Sequence, residues 1–158
     1  LQQIGGQEPG APLPPGAGTG LRGFYYANMT FTPPVALKRM ERVNFRWAGA
    51  PGAGVPADQF SVRWLGRIEA PVSGMFELQT DSDEGIRVWI DDQLVIDNFG
   101  PHALETDTSA PIELVAGTKY VIRIDHYDVS GSATAVLRWK MPGDLKFSVV
   151  PRNRLFPN

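Results

Sequence analysis

Residues 60–90, FSVRWLGRIEAPVSGMFELQTDSDEGIRVWI, decide the fold because three short runs within them alternate apolar and polar side chains. A period of two places every second side chain on the same face of a β-strand, whereas a helix repeats every 3.6 residues. The shared apolar face is formed by Phe60, Val62 and Trp64, then Phe76, Leu78 and Thr80, then Ile86, Val88 and Ile90. The stretch therefore predicts three consecutive half-buried strands.

Two more alternating runs follow, KYVIRIDHYD (119–128) and TAVLRWK (134–140), and turn-forming dipeptides such as Ser73-Gly74 and Asp91-Asp92 separate the strands. Short strands joined by such turns are typical of an all-β fold, either an antiparallel β-barrel or a two-sheet β-sandwich with short loops. The one helical candidate is ALKRMERV (36–43), which is too short to be stable alone. We predict an irregular connection there, with room for one helical turn.

Residues 1–19 differ in composition from the rest of the chain. They are rich in Gly and Pro and contain few large apolar side chains, so they cannot bury enough surface to offset the entropy of ordering. We predict a linker at 1–19, which tethers a β-domain at 20–158 to other domains of a longer chain. Removal of residues 1–18 is then expected to leave the melting temperature nearly unchanged.

Composition excludes several classes of function. The 15 Lys and Arg against 17 Asp and Glu give a net charge of −2, and no segment concentrates basic residues, so we predict no nucleic-acid partner. No apolar run is long enough to span a bilayer, which predicts a soluble chain without membrane insertion. The absence of cysteine excludes thiolate metal sites and favours oxygen ligands.

Enzyme signatures are absent from the sequence. It has no G-x-S-x-G, P-loop or H-E-x-x-H motif, and His102 and His126 lie far apart. The acids clustered near residue 83 share one loop and could not face each other across a glycosidic bond. We therefore predict that the chain is not an enzyme.

Five acidic residues lie within residues 80–92, TDSDEGIRVWIDD, and they allow two interpretations. A 12-residue EF-hand loop starting at Asp81 would need a ligand at position 5 and glycine at position 6, where the chain has Gly85 and Ile86. With the EF-hand excluded, the residues themselves leave open either a solvated acidic turn or a Ca²⁺ site shared between several loops.

Five segments, in this order, resemble the domain family named after the 14-kDa N-terminal piece of anthrax protective antigen. They are GLRGFYY (20–26), VNFRW (43–47), the long block 58–100 with its SDEG turn and VIDN motif, LVAGTKYVIRIDHYD (114–128) and AVLRW (135–139). The resemblance covers residues 20 to 157. It implies a β-barrel or two-sheet sandwich of the kind found in toxins, adhesins and glycosidases, and lectin-like binding of sugar hydroxyls through Ca²⁺.

The resemblance also implies which residues form the site. A cis acid pair on the SDEG turn corresponds to Asp83 and Glu84, with Glu84 in place of the usual second Asp. The second-loop ligand corresponds to Asp128, with backbone carbonyls among residues 129–132. The implied metal is Ca²⁺, and the expected carbohydrate-binding residues are Asp83, Glu84, Phe99, His102, Ser130 and Ser132. The four tryptophans lie in predicted strands and are expected in the core.

The sequence thus predicts a calcium-dependent carbohydrate-binding module of a secreted or cell-surface protein, such as an adhesin or a glycan-active enzyme. Its partners would be glycans or polysaccharides, and its location extracellular. The alternative is a metal-free structural or protein-docking module within a larger secreted protein.

Overall fold

The computed structural model describes residues 14–158, which form thirteen β-strands and a short 3₁₀ helix (Arg152–Arg154). The strands are β1 (Leu21–Tyr26), β2 (Val35–Glu41), β3 (Asn44–Trp47), β4 (Phe60–Glu69), β5 (Gly74–Asp83), β6 (Ile86–Ile90), β7 (Gln93–Asn98), β8 (Glu105–Thr108), β9 (Ile112–Leu114), β10 (Lys119–Asp128), β11 (Ala133–Lys140), β12 (Ser148–Val149) and β13 (Leu155–Phe156). No helix within residues 14–158 has the length and apolar character needed to cross a membrane.

The strands pair into two antiparallel sheets. The first has the order β2-β1-β4-β10-β6-β7, with β13 also paired to β4, and the second has the order β12-β11-β5-β8, with β3 beside β11 and β9 beside β5. The sheets do not close into a barrel, so the all-β prediction is confirmed in its sandwich form. All five strands predicted from alternation are present.

The core lies between the sheets and consists of the alternating apolar residues of both. Phe60, Trp64 and Ile124 of the first sheet and Phe76 and Leu137 of the second are almost completely buried. Burial of a side chain of this size stabilises the fold by about 1.5–3 kcal/mol. The apolar faces of the predicted strands therefore pack together in one continuous core.

The prediction for residues 36–43 was wrong, because Val35–Glu41 forms strand β2. Its residues pair with β1 from Leu21↔Glu41 to Tyr26↔Val35, and Ala36 and Leu37 pack against the core. Helix propensity is a weak preference that tertiary pairing often overrides. The turn at Asp91-Asp92, in contrast, is confirmed: both residues have positive φ, as a two-residue hairpin between β6 and β7 requires.

Most of the predicted linker, residues 1–13, lies outside the described residues. Its last part packs on the C-terminal segment of the domain: the Gly18 N–H donates to the Asn153 carbonyl at 3.0 Å and the Gly20 N–H to Leu155 at 2.9 Å. The Arg154 guanidinium donates to the Pro14 carbonyl at 2.7 Å. Residues 14–18 are thus part of the packed domain in this structure.

Two truncations separate linker from domain. Removal of residues 1–13 leaves the contacts described above intact and is expected to leave the melting temperature unchanged. Removal of residues 1–18 deletes the hydrogen bonds of Pro14 and Gly18, each worth about 0.5–1.5 kcal/mol. This truncation is expected to lower the melting temperature by several degrees. Thermal unfolding followed by circular dichroism compares the two, and equal melting temperatures would show that residues 14–18 contribute nothing.

Candidate functional site

Four strand ends meet at one end of the sandwich. The end of β10 pairs with the start of β4 (Asp128↔Phe60), and the end of β5 pairs with the start of β11 (Asp83↔Thr134). The register thus brings the β5–β6 turn, the β10–β11 loop (129–132) and the β3–β4 loop (48–59) to the same end. We call this end the acidic end.

The β5–β6 turn is fastened to the end of β10. Its Asp83–Glu84 peptide is cis, the Glu84 N–H donates to the Tyr127 carbonyl at 3.3 Å, and the Tyr127 N–H donates to the Gly85 carbonyl at 3.2 Å. Gly85 permits this close approach: a Cβ there would lie 2.2 Å from the Tyr127 ring and 2.5 Å from the Phe99 carbonyl. A glycine between the acid pair and β6 is therefore required by packing.

The Glu84 carboxylate reaches across to the second loop. Its Oε1 accepts hydrogen bonds from the backbone N–H groups of Val129 at 2.6 Å and Ser130 at 3.4 Å. The extra methylene of Glu, compared with Asp, supplies this reach. One acid of the turn therefore holds the two loops together.

Asp128 is the unusual residue of the acidic end. Its side chain is fully buried, and neither carboxylate oxygen has a hydrogen-bond partner within the described part of the chain. Burial, followed by the nearby charges of Glu84, Asp58 and Asp83, raises the pKa of Asp128 to about 7. An unpaired buried carboxylate is costly unless it is neutralised by a proton or by a cation.

Asp83 and Asp58 add negative charge near Asp128 at the acidic end. Desolvation and the charge of Glu84 raise the pKa of Asp83, and His102 partly opposes that shift. Asp58, on the exposed β3–β4 loop, acts on Asp128 through charge and was missed by sequence reasoning. The signal was weak because a lone acid in a loop is common, and only the pairing of β4 with β10 places it beside Asp128.

The expected sugar-contacting residues occupy different places around this end. Phe99 is half-buried, with its ring 5.0 Å from Tyr127 and under the Arg87 guanidinium at 4.4 Å. His102 lies near the Asn98 carbonyl (3.2 Å) and the Ser82 hydroxyl (3.5 Å). Ser130 and Ser132 are exposed on the β10–β11 loop.

The remaining acids of residues 80–92 have structural roles. Asp81 bonds to the Arg138 guanidinium at 2.7 Å and accepts the Thr106 hydroxyl, and these hydrogen bonds lower its pKa. Asp91 and Asp92 form the hairpin turn. Of the acids in this stretch, Glu84 contacts the β10–β11 loop, and Asp83 lies near enough to Asp128 for its charge to raise the pKa of Asp128.

Three of the four tryptophans lie in or against the core as predicted, and Trp89 does not. Trp64 and Trp139 are almost fully buried, Trp47 packs against the core, and Trp89 lies half-buried on the outer face of the first sheet. His126 is completely buried, its Nδ1 is 3.0 Å from the Gly85 carbonyl, and burial lowers its pKa to about 4. It is neutral at physiological pH.

The side chains of the acidic end can be compared with the needs of a calcium ion. Ca²⁺ takes carboxylate and carbonyl oxygens from several loops, and Asp83, Glu84, Asp128 and the 129–132 carbonyls are of this kind. The two unpartnered oxygens of Asp128 fit such an ion. Within residues 14–158, however, no three His, Cys, Asp or Glu side chains are already gathered closely enough to hold a metal.

Comparison with known proteins agrees with the fold. The sequence profile of the PA14 domain matches residues 18–153. The chain belongs to the PA14 domain family. The match spans strands β1 to β12 and the three loops of the acidic end.

This PA14 domain is similar to an anti-sigma factor and to a protein that contains an anti-sigma factor domain. The chain is 35% identical over 144 residues to the anti-sigma-I factor RsgI3 of Acetivibrio thermocellus. The aligned region covers 90% of this chain but 22% of RsgI3. The chain also matches the structure of an anti-sigma factor domain-containing protein from Clostridium clariflavum, with a TM-score of 0.86 and 31% identity over 91% of this chain and 49% of that one. The chain thus spans less than half the length of either protein.

A more distant structure shares the fold alone. The PA14 sugar-binding domain from an RTX adhesin superposes with a TM-score of 0.75 at 14% identity, over 90% of this chain and all of that one. The sandwich is therefore retained in PA14 domains of very different sequence.

Proposed function

We propose that this PA14 domain is a non-catalytic module that binds carbohydrate in a calcium-dependent manner. The observation that carries the proposal is the buried carboxylate of Asp128, whose two oxygens have no partner among the described residues, beside the acid pair Asp83 and Glu84. A cation removes the repulsion between these charges, and oxygen ligands suit calcium. The RTX adhesin domain of the same fold is described as sugar-binding, which supports the choice of ligand.

Each residue would have a separate task. Asp83, Asp128 and the second carboxylate oxygen of Glu84 would hold the ion from two loops, with carbonyls of residues 129–132 on the second loop. The bound ion would supply a positive centre for two sugar hydroxyls. Glu84 already fixes the spacing of the loops through its bonds to Val129 and Ser130, and Phe99 and His102 would line the rim beside the sugar.

The similarity to anti-sigma factors supports a place for the module within a larger regulatory protein. In that proposal the module would be the part of an extracellular or surface-exposed region that recognises a polysaccharide. The aligned region is 22% of RsgI3, so in a protein of that kind the remaining length would carry the other functions.

A second candidate is a metal-free docking module. It is favoured by the bond from the Val129 N–H to Glu84 at 2.6 Å, which joins the two loops without an ion. In this candidate Asp128 stays protonated, as its raised pKa of about 7 permits.

Calcium is expected to raise the melting temperature of the wild-type chain. A ligand specific for the folded state stabilises it by about 2.7 kcal/mol at a 100-fold excess over Kd, and for this size that corresponds to about 5–10 °C. Asp83→Ala is expected to abolish both the shift and glycan-array binding that is sensitive to EDTA. Differential scanning fluorimetry with magnesium as the control ion provides the measurement.

Glu84→Asp distinguishes the two candidates. If an ion occupies the site, the shorter acid is expected to keep or improve the calcium affinity. If Glu84 is only a bridge between loops, the variant loses the Val129 bond and gains no response to calcium. A wild-type shift no larger than that of Asp83→Ala would remove the calcium proposal.

A further inference from the structure

The outer face of the first sheet carries two rows of side chains that cross all six main strands. The strand register aligns Lys38, Phe24, Arg63, Asp125, Arg87 and Asp97 in the first row. It aligns Met40, Arg22, Leu65, Arg123, Trp89 and Leu94 in the second. Neighbouring strands are about 4.8 Å apart, so each row extends over about 24 Å.

This surface, together with Arg67 next to the second row on β4, is strongly cationic, and we call it the basic face. It holds six Lys and Arg against two carboxylates, a net charge of +4 in a chain whose total is −2. Within residues 14–158, Arg22, Lys38 and Arg67 form no ion pair. Their charge is therefore available to a ligand.

The other guanidinium groups of the basic face are held in place by the protein. Asp125, which is buried, accepts two hydrogen bonds from Arg63 (2.8 and 3.0 Å) and two from Arg123 (3.2 and 2.7 Å). Arg123 also stacks on Trp89 at 4.5 Å, and Arg63 stacks on Phe31 at 4.7 Å. Two cations share one carboxylate, so a positive charge remains and its position is fixed before a ligand arrives.

Apolar side chains alternate with these cations. Met40 is 51% and Leu94 46% exposed, and Leu65 lies half-buried between Arg22 and Arg123. A shallow groove of about 360 Å³ at the β1–β2 edge is lined by Arg22, Phe24, Lys38, Arg39 and Met40. The basic face is thus flat, positively charged and partly apolar.

We propose that the basic face binds a carboxylated polysaccharide, a chain of uronic acid units, as a site separate from the acidic end. The carboxylates would pair with the guanidinium and ammonium groups of Arg22, Lys38 and Arg67. The C–H faces of the sugar rings would lie on the exposed apolar side chains of the second row. These three cations lie on three neighbouring strands, Lys38 on β2, Arg22 on β1 and Arg67 on β4, so they can meet successive carboxylates of one extended polymer.

Nucleic acid and anionic membranes match this surface less well. Single-stranded nucleic acid is held largely by stacking of successive bases on several aromatic faces. Of the two aromatic residues in the rows, Trp89 lies under the Arg123 guanidinium, which leaves only the half-buried Phe24 without a covering cation. Peripheral membrane binding uses large apolar side chains that project into the lipid from one element, and the apolar residues of this face are spread along a flat row.

The test measures binding of the full 158-residue chain to alginate, a polyuronate, by isothermal titration calorimetry in EDTA at low salt. EDTA removes calcium, so failure of the calcium-dependent site would leave the result unchanged. The triple variant Arg22→Gln, Lys38→Gln and Arg67→Gln is expected to bind about tenfold more weakly, given modest contributions from screened surface pairs. The matched control, Arg46→Gln, Lys140→Gln and Lys146→Gln, changes the net charge equally on other surfaces and is expected to bind within about twofold of the wild type.

Three results would overturn the proposal. One is equal weakening by both triple variants, which would indicate attraction without a defined site. Another is equal affinity for dextran, a neutral polysaccharide. The third is tighter binding to duplex DNA or to phosphatidylserine vesicles than to alginate, since either would identify a different class of partner.

Discussion

Asp128→Asn is expected to raise the melting temperature of the calcium-free chain at pH 8 and to abolish any response to calcium. The wild-type side chain buries a carboxylate without a partner among the described residues, and at pH 8 that group is mostly ionised because its pKa lies near 7. A neutral amide of nearly the same shape removes the charge. Relief of about 1–3 kcal/mol corresponds to about 3–10 °C for a chain of this size.

The pH dependence gives the same prediction a second measurement. The folded state holds the Asp128 proton up to a pH of about 7, whereas an unfolded Asp releases it near 3.9. The stability contributed by this proton is fully present below pH 4 and is lost as the pH rises through 7. The difference between wild type and Asp128→Asn is therefore expected to grow from pH 4 to pH 8 in EDTA.

Asp92→Asn is the matched control, because it removes one negative charge from the exposed turn at the other end of β6, where Asn also adopts positive φ. It is expected to change the melting temperature by less than about 1 °C. A destabilised Asp128→Asn at pH 8 would contradict the description of Asp128 as an uncompensated charge.

Glu41→Ala is expected to cause the largest loss of stability. The buried Glu41 carboxylate accepts the Tyr25 hydroxyl, the Arg39 Nε–H at 2.8 Å and the Trp64 Nε1–H at 2.9 Å. Burial, with the Glu41 charge, raises the pKa of Tyr25, so Tyr25 remains a donor. Loss of this common acceptor leaves three buried donors without their partner. The free energy of unfolding is expected to fall by about 3–5 kcal/mol in total, which lowers the melting temperature by roughly 10 °C or more.

Chemical denaturation of Glu41→Ala and Glu77→Ala provides the comparison. Glu77 is half-buried on the second sheet, 3.9 Å from Lys140, and its removal is expected to change stability by less than about 1 kcal/mol. Equal losses in the two variants would show that the shared acceptor is not a stabilising feature. The slope with denaturant should be the same for both variants if the fold is retained.

The sequence predicts the sandwich well because the apolar and polar side chains of each main strand alternate in the same way as its buried and exposed positions. Phe60, Trp64, Leu78 and Ile124 alternate with polar residues and lie in one core. Strand β2 was missed because ALKRMERV has good helix formers, and its strand state depends on pairing with β1, which lies outside the segment. Local propensity does not contain that information.

The site was only partly predictable for the same reason. Asp83 and Glu84 are adjacent in sequence, so their turn could be recognised directly. Asp58 lies 70 positions before Asp128, and its influence on Asp128 follows from the pairing of Phe60 with Asp128. The basic face could not be predicted because its six cations are spread over five strands, and only the strand register brings them together.

The bonds that join Gly18 to Asn153 and Gly20 to Leu155 have a mechanical consequence. They fasten the two terminal segments to each other near the ends of β1 and β4 that lie away from the acidic loops. The ten-residue strands β4 and β10 extend about 33 Å between these two ends. If the N-terminal segment joins this domain to other domains and the acidic loops hold a ligand, as proposed, a pull between the two would run lengthwise along these strands and load their hydrogen bonds in shear.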